Sequence, residues 1–129
     1  MGADPGMLER IDEEAAAYLE LITEDPFFRQ VMEKIAQRLP DGPPSQARIA
    51  DDLHVSERTL QRKLKAEGHT YKDILQDYRL RLARNYLSQP GRSIVETSYV
   101  LGFSDPSAFS RAFKGWTGHS PAEYREQYL

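Results

Sequence analysis

The feature that most constrains this chain is a weak internal duplication. Ala50, Leu53, Val55 and Ser56 correspond to Ser98, Leu101, Phe103 and Ser104 at an offset of 48 residues. After one inserted residue, Leu60, Arg62, Leu64 and Lys65 correspond to Phe109, Arg111, Phe113 and Lys114 at 49, and His69-Thr70 to His119-Ser120 at 50. Each copy reads as a short helix, a tight turn and a capped second helix. Leu53-His54-Val55-Ser56 and Leu101-Gly102-Phe103-Ser104 each close one helix, reverse the chain and open the next. The residue after the leucine needs a left-handed backbone, which glycine adopts without strain and histidine tolerates better than most. Val55 and Phe103 are placed to fill the angle between the two helices. One copy alone would suit any helical hairpin. Two at near-constant spacing argue for a helix-turn-helix used twice.

Helix punctuation continues through the chain, and no stretch alternates convincingly with period two. Ser45 caps a short helix through Leu53, Ser56 one ending near Gly68, and Thr70 with Asp73 a long helix through Leu87. Ser93 with Glu96 and Ser120 with Glu123 read as capping boxes, and Asp105-Pro106 as a cap followed by proline at the first helical position. Upstream, Leu8, Ile11, Ala15, Tyr18, Leu19 and Ile22 line one side of an acidic amphipathic helix over residues 7–23. Asp25-Pro26 opens a second helix to Leu39, with Val31, Ile35 and Leu39 on one face; Pro40-Asp41-Gly42-Pro43-Pro44 ends it and marks a linker. The expected fold is all-α: two homeodomain-like helix-turn-helix subdomains joined by a long linker helix and preceded by two N-terminal helices. Its expected divisions are an acidic region 1–44, a first unit 45–69, the linker helix 70–88 and a second unit with a C-terminal helix, 93–129.

Composition enters through the distribution of charge. The formal net charge is −3, which would argue against a polyanionic partner if it were evenly spread. It is not. Residues 1–40 hold 9 acids and 4 bases, whereas residues 56–84 hold 8 bases and 4 acids. Local field, not total charge, is what phosphates feel. The 129 residues include no cysteine, which excludes a disulfide framework and a thiolate metal site. No apolar run approaches the roughly 18 residues needed to span a bilayer, and the start MGADPGML lacks the pattern of a secretory signal. A cytoplasmic protein with no membrane partner is expected. His54, His69 and His119 stand apart from one another, and no H-x-x-x-H pair, Gly-rich phosphate loop or G-x-S-x-G elbow occurs. Neither a catalytic group, a metal nor a cofactor is expected.

The second helix of each copy carries the chemistry. In the first, Leu60 and Leu64 face inward, so Arg58, Gln61, Arg62 and Lys65 share the other face. Arginine bonds two acceptors of guanine in the major groove and glutamine pairs similarly with adenine; Lys65, nearer the helix end, suits phosphate. In the second copy Phe109, Ala112, Phe113 and Trp116 form the apolar stripe, with Ser107, Ala108, Ser110, Arg111 and Lys114 outward. Arg111 takes the place of Arg62 and is the strongest base-contact candidate there, Pro106 and Ala108 offer apolar contact, and Ser110 and Lys114 suit phosphate. This helix should specify fewer bases by hydrogen bonding. The register of Trp116 points to the core rather than to base stacking. The linker helix is expected to bury Ile74, Leu75, Tyr78, Leu82 and Tyr86 and to leave Arg79, Arg81 and Arg84 partly exposed. It spans about 26 Å, less than the roughly 34 Å between successive major grooves on one DNA face, so some bending of the DNA is expected unless the recognition helices splay.

The segment LGFSDPSAFSRAFKGWTGHSPAEYR (101–125), preceded by SIVETSYV, closely resembles the signature of AraC/XylS-type transcription regulators. VSERTLQRKLKAEG (55–68) resembles the first helix-turn-helix of that family and YRLRLARNYL (78–87) its connecting helix. The resemblance covers about residues 45–129. It implies a bacterial regulator, usually an activator, that puts two recognition helices into adjacent major-groove segments of double-stranded promoter or operator DNA, often contacts RNA polymerase, and often answers to an effector bound by another domain. It also implies base-reading roles for Arg58, Gln61 and Arg62, and for Pro106, Ser107, Ala108 and Arg111. Ser98 departs from a usual small alanine and Thr97 from a usual aliphatic; a serine there is expected to bond back to a helical carbonyl. Residues 1–44 resemble the tail of a region leading to an effector domain that this sequence lacks, so a longer natural protein is expected. The alternative is a helical protein-interaction module built on the acidic segment 7–39. Against it stands ordinary contact of that segment with the first unit.

Overall fold

The computed structural model describes residues 26–128. The expected helix over residues 7–23 and the cap at Asp25 lie outside the described residues. Within them all regular structure is helical: α1 (Pro26–Arg38) with a 3-10 turn at Leu39–Asp41, α2 (Gln46–Asp52), α3 (Glu57–Ala66), α4 (Tyr71–Leu87), α5 (Ile94–Val100), α6 (Pro106–Thr117) and α7 (Pro121–Tyr128). The all-α, two-unit architecture is the expected one: α2 and α3 form the first helix-turn-helix, α5 and α6 the second, and α4 joins them.

The caps start the helices as read. Ser45, Ser56, Thr70 and Ser93 each accept a bond from the backbone amide three residues on, at 3.0–3.1 Å. Asp105 does the same toward Ala108 at 2.8 Å. Each satisfies an orphan amide and contributes about 1 kcal/mol. The reciprocal bond that completes a capping box forms at Ser120, whose amide donates to Glu123 Oε1 at 2.8 Å while its hydroxyl accepts from the Glu123 amide at 3.1 Å.

The two turns share their main backbone bonds. The Val55 amide donates to the Ala50 carbonyl and the Phe103 amide to that of Ser98, both at 3.0 Å. His54 has φ 58° and Gly102 φ 83°, the left-handed backbone expected at both. Their surroundings differ. A Cβ at Gly102 would collide with the Leu39 carbonyl and crowd Gly42 and Pro43, so the second turn sits directly on the bend after α1.

The core runs through the described chain without interruption. Phe28, Val31, Met32, Ile35 and Leu39 of the α1 segment are buried with Ile49, Leu60 and Leu64 of the first unit, and with Leu101, Phe109 and Phe113 of the second. Full burial of one such side chain contributes roughly 1.5–3 kcal/mol. Arg38 grips Asp52 through two bonds of 2.5 and 2.7 Å, tying α1 to the end of α2. Hydrogen bonding to Arg38 holds the Asp52 carboxyl below its usual range. The 40–44 stretch breaks the helix as read, and it is anchored at its end. Pro44 is buried, and its carbonyl accepts the Tyr71 hydroxyl at 2.7 Å; burial pushes that phenol above its ordinary pKa, so it stays a donor.

On α4, Ile74, Tyr78, Leu82 and Tyr86 are buried as expected, whereas Leu75 lies only at the edge of the core and Tyr71, Ala83 and Leu87 join the buried set. A 17-residue helix clamped between two units buries more than one stripe, which periodicity alone does not resolve. Ser98 and Thr97 are fully buried, and each hydroxyl bonds back along its helix, to the Val95 carbonyl at 2.6 Å and the Ser93 carbonyl at 2.8 Å. The expectation for Ser98 therefore holds, and Thr97 behaves likewise.

Candidate nucleic-acid interface

The outer face of α3 follows from the burial of Leu60 and Leu64. Arg58, Gln61, Arg62 and Lys65 are all exposed and, with Ala66, line one shallow open hollow. Among the described residues Arg58, Arg62 and Lys65 have no hydrogen-bond or ion-pair partner on the protein, so their charged heads point to solvent unspent. Ser56 fixes the start of the helix through the Thr59 amide and hydroxyl. At its far end Gly68, at φ 81°, turns the chain, and the His69 amide returns to the Leu64 carbonyl at 3.0 Å. Lys63, on the flank, is drawn the other way, its ammonium 4.5 Å from the centre of the Phe27 ring on α1.

A second hollow continues from this face. It is lined by Gln46, Gln61, Lys65, His69, Thr70 and Lys72, among others. Gln46 and Lys72 were not singled out in the sequence. Gln46 begins α2 and Lys72 is the second residue of α4, and only the fold brings them beside the end of α3. The signal available was their place in the first turn after a cap, where side chains flank the exposed amides of a helix start.

The outer face of α6 is sparser. Ser107, Arg111 and Lys114 are exposed, while Pro106, Ala108 and Ser110 are half-buried. The side chains of Arg111 and Lys114, one turn apart, make no hydrogen bond or ion pair with the protein among the described residues. Phe109 and Phe113 anchor the helix from beneath, and Phe113 meets Tyr124 of α7 edge-on at 5.3 Å. Trp116 is half-buried, 6.2 Å from the Phe103 ring and 6.5 Å from that of Phe113, so it belongs to the aromatic support of α6. The two faces are unequal in exposed polar side chains: Arg58, Gln61, Arg62 and Lys65 on α3, against Ser107, Arg111 and Lys114 on α6.

The cations of α4 were expected to be partly exposed, and Arg79 and Arg81 are half-buried. Arg79 is committed: its Nε donates to the Leu101 carbonyl at 3.0 Å and its guanidinium lies over the Phe103 ring at 3.9 Å. Arg81 approaches Asp77 at 3.6 Å one turn away. Arg84 is exposed. Charge counted along the sequence therefore overstates what is available to phosphate. The three histidines gather no partners for a metal, and no metal-holding group occurs among the described residues. No helix of the described chain is long and apolar enough to cross a membrane. The apolar face of the acidic segment, over residues 28–39, is spent on the core and is not open to a partner.

Comparison with known proteins places this geometry. Residues 49–127 match the helix-turn-helix domain family. The chain also superposes on a Chromobacterium violaceum transcriptional regulator of the AraC-type DNA-binding domain class, with TM-score 0.66 and 29% identity over 78% of this chain and 89% of that one. The chain belongs to the AraC-type helix-turn-helix family. Another neighbour of known structure, the DNA-binding domain of the global transcriptional factor AdpA in complex with a target DNA, has TM-score 0.66 and 26% identity, over 77% of this chain and 89% of that one. Among curated relatives, the ornithine utilization regulator of Pseudomonas aeruginosa is 34% identical over 124 residues, which is 96% of this chain and 37% of that protein. The chain therefore spans little more than a third of that relative's length. The family and the fold are those of transcription regulators rather than of enzymes.

Proposed function

We propose that the chain reads a bipartite site on double-stranded DNA, with α3 and α6 in adjacent major-groove segments, as the DNA-reading part of a bacterial transcription regulator. The observation that carries this is the pair of uncommitted polar faces held at the repeated position of two helix-turn-helix units on one core. The likeness to a domain solved in complex with its target DNA supports it. Arg58, Gln61 and Arg62 read bases from α3; Pro106, Ser107, Ala108 and Arg111 read from α6. Lys65, Ser110 and Lys114 hold phosphates, and Gln46 and Lys72 extend the phosphate track beside α3. Segments 45–69 and 93–129 act as the two reading units, with 70–88 as their spacer.

The wider setting is part of the same proposal. The relatives' greater length supports reading this chain as one portion of a larger effector-responsive activator that works in the bacterial cytoplasm and contacts RNA polymerase at promoters. A gel shift at low salt, with a selected duplex against random-sequence DNA, tests the reading. Affinity for the selected duplex is expected to exceed that for random DNA by at least about a thousandfold. Equal affinity for both, or none, refutes it.

A further inference from the structure

The turn that aims α6 is held from two other elements at once. Arg79, midway along α4, donates Nε to the Leu101 carbonyl, one of the acceptors left open at the end of α5, at 3.0 Å. Its guanidinium lies 3.9 Å from the centre of the Phe103 ring. Phe103 in turn meets Phe109 at 5.5 Å and Trp116 at 6.2 Å, both on α6. Between Leu101 and Phe103, Gly102 rests on the Leu39 carbonyl and on Gly42 and Pro43, in the bend after α1. No carboxylate lies within ion-pair range of Arg79 among the described residues. A half-buried guanidinium without a carboxylate gives up hydration for one carbonyl and one ring face, an exchange that secures direction rather than charge neutrality. The duplication supplies an internal control. In the first unit the Leu53 carbonyl accepts no side-chain donor among the described residues, and Val55 offers no ring.

We propose that Arg79 is a positioning residue: by holding Leu101 and Phe103 against the linker helix it fixes the rotation of α6 relative to α3, and so the half-site spacing the chain accepts. This rests on the DNA-reading role proposed above. Each base pair inserted between half-sites moves the second one by about 3.4 Å and turns it by about 34°.

The test uses the whole chain and a duplex it selects from random DNA, with derivatives in which one or two base pairs are inserted or removed between the half-sites. Wild type is expected to lose on the order of tenfold or more in affinity at a displacement of one base pair, as a bidentate base contact is lost. Arg79→Met keeps the apolar stem but loses the donor and the cation. Its loss on the same displacement is expected to shrink to about threefold or less, with binding to the isolated first half-site unchanged. Arg79→Lys, whose ammonium reaches a carbonyl but cannot lie flat on a ring, is expected to fall between the two. Circular dichroism establishes that the variants fold; if Arg79→Met does not, Arg79→Lys carries the comparison. A spacing profile parallel to wild type, with or without a uniform loss of affinity, overturns the proposal. Failure of the DNA-reading role itself is distinguishable, because wild type would then show no preference for the selected duplex before any substitution is made.

Discussion

Arg62 and Arg111 occupy equivalent places in the two copies, each exposed, without a protein partner, and on a helix held by two buried residues. A guanidinium in that setting has its donors ready for a guanine edge. Arg62→Ala and Arg111→Ala are each expected to cost about 1–3 kcal/mol against one base pair and to relax specificity at that pair alone. Titration against a panel of singly substituted duplexes checks this, and a uniform loss across the panel counts against it. Lys114→Ala should weaken all duplexes alike and reduce the slope of log affinity against log salt by about one. Gly102 and His54 form a second pair. Both have left-handed backbone, but only Gly102 is pressed against a neighbouring carbonyl. Gly102→Ala is therefore expected to destabilise by roughly 2 kcal/mol or more, backbone strain adding to the collision. His54→Gly should stay within about 1 kcal/mol of wild type. Thermal melts of both variants decide whether crowding at Gly102, rather than φ alone, sets the difference.

At the level of the helix, the capping groups give acid sensitivity a definite sign. Hydrogen bonds from the Ser120 amide and hydroxyl hold the Glu123 carboxyl below its usual value, and Arg38 does the same for Asp52. A carboxyl whose folded pKa is depressed adds stability that is complete above its unfolded value, about 4, and is lost as pH falls through the folded one. The start of α7 and the joint between α1 and α2 are thus expected to loosen below about pH 4. The combined variant Glu123→Gln with Asp52→Asn should lose less melting temperature than wild type between pH 7 and pH 3; equal losses would show that neither cap matters. Those same short-range bonds explain what was legible in the sequence. Ser45, Ser56, Thr70, Ser93, Asp105 and Ser120 mark helix starts because a cap acts over three residues. Ser98 betrayed its back-bond for the same reason. Arg79 did not, because its acceptor lies 22 residues away and its aromatic partner 24. Nor could the spacing of Leu75 reveal that α4 turns that side toward the edge of the core. Gln46 and Lys72 come beside α3 only once the fold is made.

On the proposed reading α4 is a spacer between two reading helices, and its dimensions constrain the DNA. α4 has 17 residues, about 26 Å of helix, against roughly 34 Å between successive major grooves on one face. If the two reading helices do not splay, the duplex curves toward the protein, at an elastic cost of about 1–6 kcal/mol. Circular-permutation electrophoresis is expected to show a bend centred between the half-sites; mobility independent of site position would mean that the readers splay instead. The continuous core predicts that the two units unfold together, and on the proposed reading their unequal faces divide the base contacts. Selection of binding sites from random DNA by the whole chain tests that division most directly. Two specified blocks about one helical turn apart, the one under α3 more sharply defined than the one under α6, are the predicted result. A single block, or no enriched sequence at all, would contradict it.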